Sequence, residues 1–179
     1  MMVLAAIQAS KNTGWQRKGV QMFREMARIR QQLQDDECIE ILIRQLRGVL
    51  SVLGDDDYPY GMPVNHYYCP DDGKIYFHGG FKGHKIDAIK RHGKASYCVL
   101  GEGFRREGEW SLNFKSVIAF GRIEIVDDHD WAMEVSRRLS RKFIDDERAI
   151  EDEVQRAGRY TLVFALVPEH ITGKIVNES

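Results

Sequence analysis

Two lysines bracket a glycine and a histidine in Lys82-Gly83-His84-Lys85, where Ile86 and Ile89 begin to repeat with helical spacing. A helix from about His84 to Arg91, stopping at Gly93, would turn unpaired N–H groups and partial positive charge toward the two lysines. With Gly83 allowing close backbone approach, such a start suits a phosphate, although the tetrapeptide alone reads more readily as a solvated basic turn. Just upstream, His78 lies between Phe77 and Gly79 near a strand end, where its imidazole can titrate near neutral pH and donate a proton or simply hold a hydrogen bond. His66, His78 and His84 have no carboxylate or cysteine at ligand spacing, so no metal site is expected.

The elements that must position these residues are mostly strands. Gly48 to Leu53, Gly61 to Cys69, Lys74 to Gly79 and Ala95 to Leu100 are rich in Val, Ile, Tyr or Phe and separated by turns such as Gly54-Asp55-Asp56-Asp57 and Pro70-Asp71-Asp72-Gly73. From Lys115 to Val126 the residues Val117, Ala119, Gly121, Ile123 and Ile125 alternate with the other face, and Gly121 marks a bend or bulge. The last strand starts at Thr161, and Pro168 confines its end to an edge or a bulge. Helices are expected behind Asp35 and Asp36 (Ile39, Leu42, Ile43, Leu46), after Asp128 (Trp131, Val135, Leu139, Phe143) and over Glu147 to Ala157. Strands interrupted by helices, rather than alternating with them, predict a mainly β fold: an antiparallel barrel with peripheral helices.

A chain of 179 residues with 26 basic and 27 acidic groups and a net charge of −1 is expected to form one domain and not to bind nucleic acid. Cys38, Cys69 and Cys98 are odd in number and far apart, which points to a reducing, cytoplasmic setting. The apolar start has no basic segment before it and is too short to span a bilayer, so no membrane association is expected. Residues 1–25 lack a sustained period and are expected to be an N-terminal extension to a domain over 26–179.

Four segments together resemble the nitroimidazole-resistance branch of the pyridoxamine 5'-phosphate oxidase-like flavoproteins. They are Tyr58-Pro59-Tyr60-Gly61-Met62-Pro63-Val64-Asn65, Ile75-Tyr76-Phe77-His78-Gly79-Gly80, Lys82-Gly83-His84-Lys85 and Lys115-Ser116-Val117-Ile118-Ala119-Phe120-Gly121. The likeness runs from about Met26 to Lys174. It implies an FMN-binding split β-barrel, a homodimer with flavin at the subunit interface, and an oxidoreductase that passes electrons to a small electron-poor acceptor such as a nitroaromatic. The alternative within the same fold is a flavin- or haem-binding module without turnover.

The resemblance also implies site residues. Lys85 first, then Lys82, with Gly83, would hold the phosphate. Pro63, Val64, Asn65 and His66 would carry the ring on a strand edge, with Phe77, His78 and Gly79 beside it and His78 in the catalytic position. Lys115 and Ser116 complete the cofactor set. No second, adenine-directed motif is evident, so FMN is expected, and FAD fits if its adenosine lies in solvent. Many relatives carry Thr-Thr and Tyr-Arg where this chain has Trp110-Ser111-Leu112-Asn113-Phe114-Lys115, which removes a phenol hydroxyl and a bidentate guanidinium. The chain ends in Ile171-Thr172-Gly173-Lys174-Ile175-Val176-Asn177-Glu178-Ser179, without the arginine- and histidine-bearing segment of the pyridoxamine phosphate oxidase proper, so vitamin B6 oxidation is not expected.

Overall fold

The computed structural model describes residues 23–178. Seven antiparallel strands form one sheet in the order β2-β1-β5-β6-β7-β4-β3. They are β1 (Arg47–Leu53), β2 (Pro59–Asn65), β3 (Tyr67–Tyr68), β4 (Ile75–Gly79), β5 (Lys94–Leu100), β6 (Leu112–Ile125) and β7 (Leu162–Glu178). Helices α1 (Asp35–Arg44), α2 (His84–Arg91), α3 (His129–Ser140) and α4 (Glu147–Ala157) surround it. Among the described residues no helix is long and apolar enough to cross a membrane, and no cluster of His, Cys, Asp and Glu could hold a metal.

The sheet closes on itself because one stretch of chain serves both of its edges. β2 pairs with β1 (Val64 opposite Gly48), and only His66 separates it from β3, which pairs with β4 at the far edge (Tyr67 opposite Tyr76). Beyond that corner the two strands part. The free edge of β2 and the free edge of Phe77 to Gly79 flank an opening, which makes the barrel a split one.

Leu50, Phe77, Tyr97, Val99, Val117 and Phe164 fill the barrel, and Leu42 of α1 plugs it. β4 and the start of β7 are buried on both faces, since Tyr76, Val163 and Ala165 lie outside the barrel under the α3–α4 pair with Val135 and Ile150. That double burial explains why Ile75-Tyr76-Phe77 and Leu162 to Leu166 read as continuous apolar runs. Gly121 and Pro168 meet at the expected bulge. The register between β6 and β7 shifts after Phe120, and a Cβ on Gly121 would collide with the Val167 carbonyl oxygen.

Several boundaries differ from the sequence expectation. The strand expected over 61–69 breaks at His66, and β7 runs on to Glu178 because β6 pairs with it from Leu112 to Ile125. Gln34, not Asp35 or Asp36, is the N-cap of α1, its backbone N–H donating to the Glu37 carboxylate at 3.1 Å. The helix stops at Arg44, leaving Leu46 outside it, and α3 stops before Phe143. Residues 1–22 of the expected extension lie outside the described residues, and Phe23 already packs on the sheet, stacked 4.8 Å from the His170 ring.

Candidate functional site

Gly83 begins α2 with φ +115°, a conformation that side-chain-bearing residues rarely adopt. The N–H groups of Ile86 and Asp87 return to the Gly83 carbonyl at 2.9 and 3.1 Å, so those of His84 and Lys85 have no helical acceptor. Lys85 folds back over the end of β4. Its Nζ lies 5.2 Å from the Phe164 ring centroid and occupies the space above Gly79, where a Cβ would lie 2.8 Å from it. Among the described residues no carboxylate pairs with Lys85, and desolvation lowers its pKa. A half-buried ammonium without a counter-ion, next to free N–H groups, is a cradle for an anion. Lys82 is exposed on the same loop, and Gly80 and Gly83 leave open space around it. His78 is exposed at the end of β4. Partial desolvation, followed by the Lys85 charge, holds its imidazole below the ordinary histidine value and favours a neutral ring.

The opposite wall of the split is β2. Pro59 and Pro63 have no N–H to give a ladder, so residues of their parity turn away from β1. On the free edge this leaves N–H donors at Gly61 and Asn65 and carbonyls at Pro59, Gly61, Pro63 and Asn65. A planar group with a donor and an acceptor on one side could pair with the Pro63 carbonyl and the Asn65 N–H.

His66 and Phe77 lie in the interior instead. Phe77 stacks on Phe164 at 5.4 Å in the core. His66 is fully buried, with Nε2 2.7 Å from the Leu42 carbonyl oxygen and Nδ1 2.8 Å from the Tyr97 hydroxyl. A carbonyl only accepts, so Nε2 carries the proton and Nδ1 receives the Tyr97 O–H. The backbone N–H of His66 donates to the Leu46 carbonyl at 3.2 Å, and its carbonyl accepts from Lys142 Nζ at 3.1 Å. Burial, then the Lys142 charge, pushes its pKa down to about 3.

Lys115 and Ser116 are at the other end of the sheet. Lys115 sits opposite Ile175 of β7, whereas Gly79 sits opposite Leu162, about 40 Å away along the strand at roughly 3.3 Å per residue. The Lys115 ammonium pairs with Glu37 at 2.7 Å, which lowers the Glu37 pKa, and Ser116 is buried. Both residues of that pair line a cavity of about 1060 Å³ whose apolar wall includes Val49, Pro63, Leu100 and Phe104. Within one protomer, therefore, Lys115 does not join Lys85. Tyr97 and Lys142 were not singled out in the sequence. A tyrosine in an apolar strand reads as core and a lysine after a helix reads as solvated, and no local signal marks either.

A family model described as pyridoxamine 5'-phosphate oxidase matches residues 34–175. No curated protein matches the chain. Solved structures with this fold include a candidate 5-nitroimidazole antibiotic resistance protein from Bacteroides thetaiotaomicron, 17% identical over 82% of this chain and 87% of that one, with TM-score 0.67. A FAD-binding protein from Mesorhizobium loti is 21% identical over 81% and 96%, with TM-score 0.58. The flavocytochrome Anf3 from Azotobacter vinelandii is 19% identical over 88% and 74%, with TM-score 0.69.

The buried histidine makes stability depend on acid. The folded pKa of about 3 lies below the ordinary 6.5, so the unfolded chain binds more protons as pH falls through that window and folding stability is lost. Between pH 6.5 and 4.5, above the carboxylate range, the loss should approach 1.4 kcal/mol per pH unit from this group. Urea unfolding should show about half of that loss between pH 7 and 6 and nearly all of it between pH 6 and 5. A His66→Gln variant, less stable at pH 7, should show a flatter slope; an equal slope would assign the effect elsewhere.

Proposed function

The chain belongs to the pyridoxamine 5'-phosphate oxidase family, and from that premise we propose that it is a flavoprotein whose split between β2 and β4 holds FMN. The observation that carries this reading is Lys85, a half-buried ammonium without a carboxylate, poised over Gly79 at the start of α2. Lys85, Lys82 and the N–H groups of His84 and Lys85 would hold the phosphate, and the Pro63 carbonyl and Asn65 N–H would meet the ring edge. The open space at Gly80 and Gly83 also suits FAD with its adenosine outside the cleft. Bound flavin would supply transfer of one or two electrons to a small electron-poor acceptor such as a nitroaromatic. His78, neutral and exposed at the end of β4 within the influence of the Lys85 charge, would hold or pass a proton at that acceptor.

We also propose that a second copy of the chain completes the site. Trp110 is 77% exposed in the loop between β5 and β6, and Leu100 and Phe104 at the start of that connection are exposed as well, large apolar side chains of the kind that interfaces cover. In such a dimer the Lys115–Ser116 end of one protomer could serve the cleft of the other.

The purified protein should carry, or take up, oxidised FMN. Lys85→Glu should weaken FMN binding by at least about tenfold, because it replaces a charge-assisted contact with repulsion, while Lys90→Glu on the same helix should leave the affinity near wild type. Equal affinities, read by flavin fluorescence titration, would move the phosphate elsewhere. His78→Ala should keep FMN yet slow anaerobic reduction of a nitro compound by about 10²-fold; an unchanged rate would leave His78 a structural residue. In sedimentation the protein should run as a dimer and Trp110→Glu as a monomer, and a wild-type monomer would remove the shared site.

A further inference from the structure

His66 stands one residue beyond the β2 edge just described, and its anchoring reaches that edge directly. The Tyr97 hydroxyl bonded to Nδ1 is also 3.2 Å from the Val64 carbonyl oxygen, so its proton is shared between the two in a three-centre arrangement. The Val64 carbonyl and the Asn65 N–H belong to one peptide unit. No peptide bond in the described residues is cis, and in a trans peptide these two groups point in opposite directions. With the Val64 carbonyl turned toward β1, opposite Gly48, and held there also by Tyr97, the Asn65 N–H points to the free edge, into the split. On the far side of Asn65 the corner is fixed at four points of His66, its N–H, its carbonyl and both ring nitrogens. The Val64 carbonyl before that donor and the polar groups of His66 after it are thus committed to the protein, while the Asn65 N–H and carbonyl stay on the free edge.

We propose that Tyr97 and His66 are positioning residues for the cleft: they fix the peptide between Val64 and Asn65, and so set the affinity and reduction potential of the flavin held there. The inference rests on the flavin reading of the split. A donor aimed at the edge of the ring favours the reduced, more electron-rich state, so a misaimed one should lower the midpoint potential. Burial suits the pair to this task. With the His66 pKa near 3 and the Tyr97 pKa raised by desolvation, neither side chain changes charge over the working range and the peptide keeps one orientation.

The test compares Tyr97→Phe with Val99→Ala, a core substitution two residues further along β5 that has no polar contact with β2. Both should lower the melting temperature. Only Tyr97→Phe should raise the FMN dissociation constant, by about tenfold as expected for one hydrogen bond, and shift the midpoint potential downward. If Tyr97→Phe fails to fold, 3-fluorotyrosine at position 97 keeps the ring and hydroxyl while altering hydrogen-bond strength, and it should move the potential. An unchanged potential and affinity in the Tyr97 variants, or equal losses in Val99→Ala, would overturn the positioning role while leaving the flavin cleft standing. A wild-type protein that takes up no FMN would instead overturn the reading beneath it.

Discussion

The hydrogen bonds that hold His66 determine where the sheet closes and where it stays open. A chain leaving β1's partner strand has to cross to the opposite edge within one residue, and that residue's polar groups go into the core, where an unmet donor or acceptor costs on the order of 1–3 kcal/mol. Leu42, Leu46, Tyr97 and Lys142 meet them from α1, the segment after it, β5 and the chain following α3. Four parts of the chain therefore converge on one residue, two on its ring and two on its backbone, and fix the corner at which the walls of the split meet.

Three lysines show how charge is distributed around this frame. Lys115 is matched by Glu37, and Lys142 is bound by the carbonyls of Gln45 and His66, with burial pushing its pKa down to about 8. Among the described residues Lys85 has neither kind of partner, only the face of the Phe164 ring 5.2 Å from its Nζ. An ammonium taken partly out of water with only a ring face to offset it is a cost the fold carries, and an anion bound there would relieve it. The asymmetry among the three, rather than their number, is what marks the α2 end of the split.

Much of this was legible in the sequence, and the remainder has a physical reason for being hidden. The bounds of α2 follow from the Ile86 and Ile89 spacing, and the bulge follows from Gly121 and Pro168, because both are local facts. Lys82 and Lys85 stand out only through their place after Tyr76-Phe77-His78-Gly79 in an order that resembles the family's, since the tetrapeptide alone reads as a solvated basic turn. His66 reads as part of a strand edge because its burial is decided by Leu42 and Tyr97, 24 and 31 residues away. The separation of Lys115 from Lys85 is hidden for a similar reason: motif order along the chain does not reveal which strand end each residue occupies, and only the pairing with β7 does.

The prolines of β2 have a consequence for life in a crowded solution. An exposed strand edge is a template onto which another chain can add a strand, and an open split exposes two of them. With Pro59 and Pro63 at every second outward position, an incoming strand would find carbonyls but lose half the donors it needs to form a ladder. Lys85 lies over the face of the sheet at Gly79 and sets a charge near the other edge, a second deterrent to strand addition. The same residues that shape the opening for a small rigid molecule thereby protect the empty protein from aggregation, and replacing the two prolines would expose the unfilled barrel to strand exchange with its neighbours.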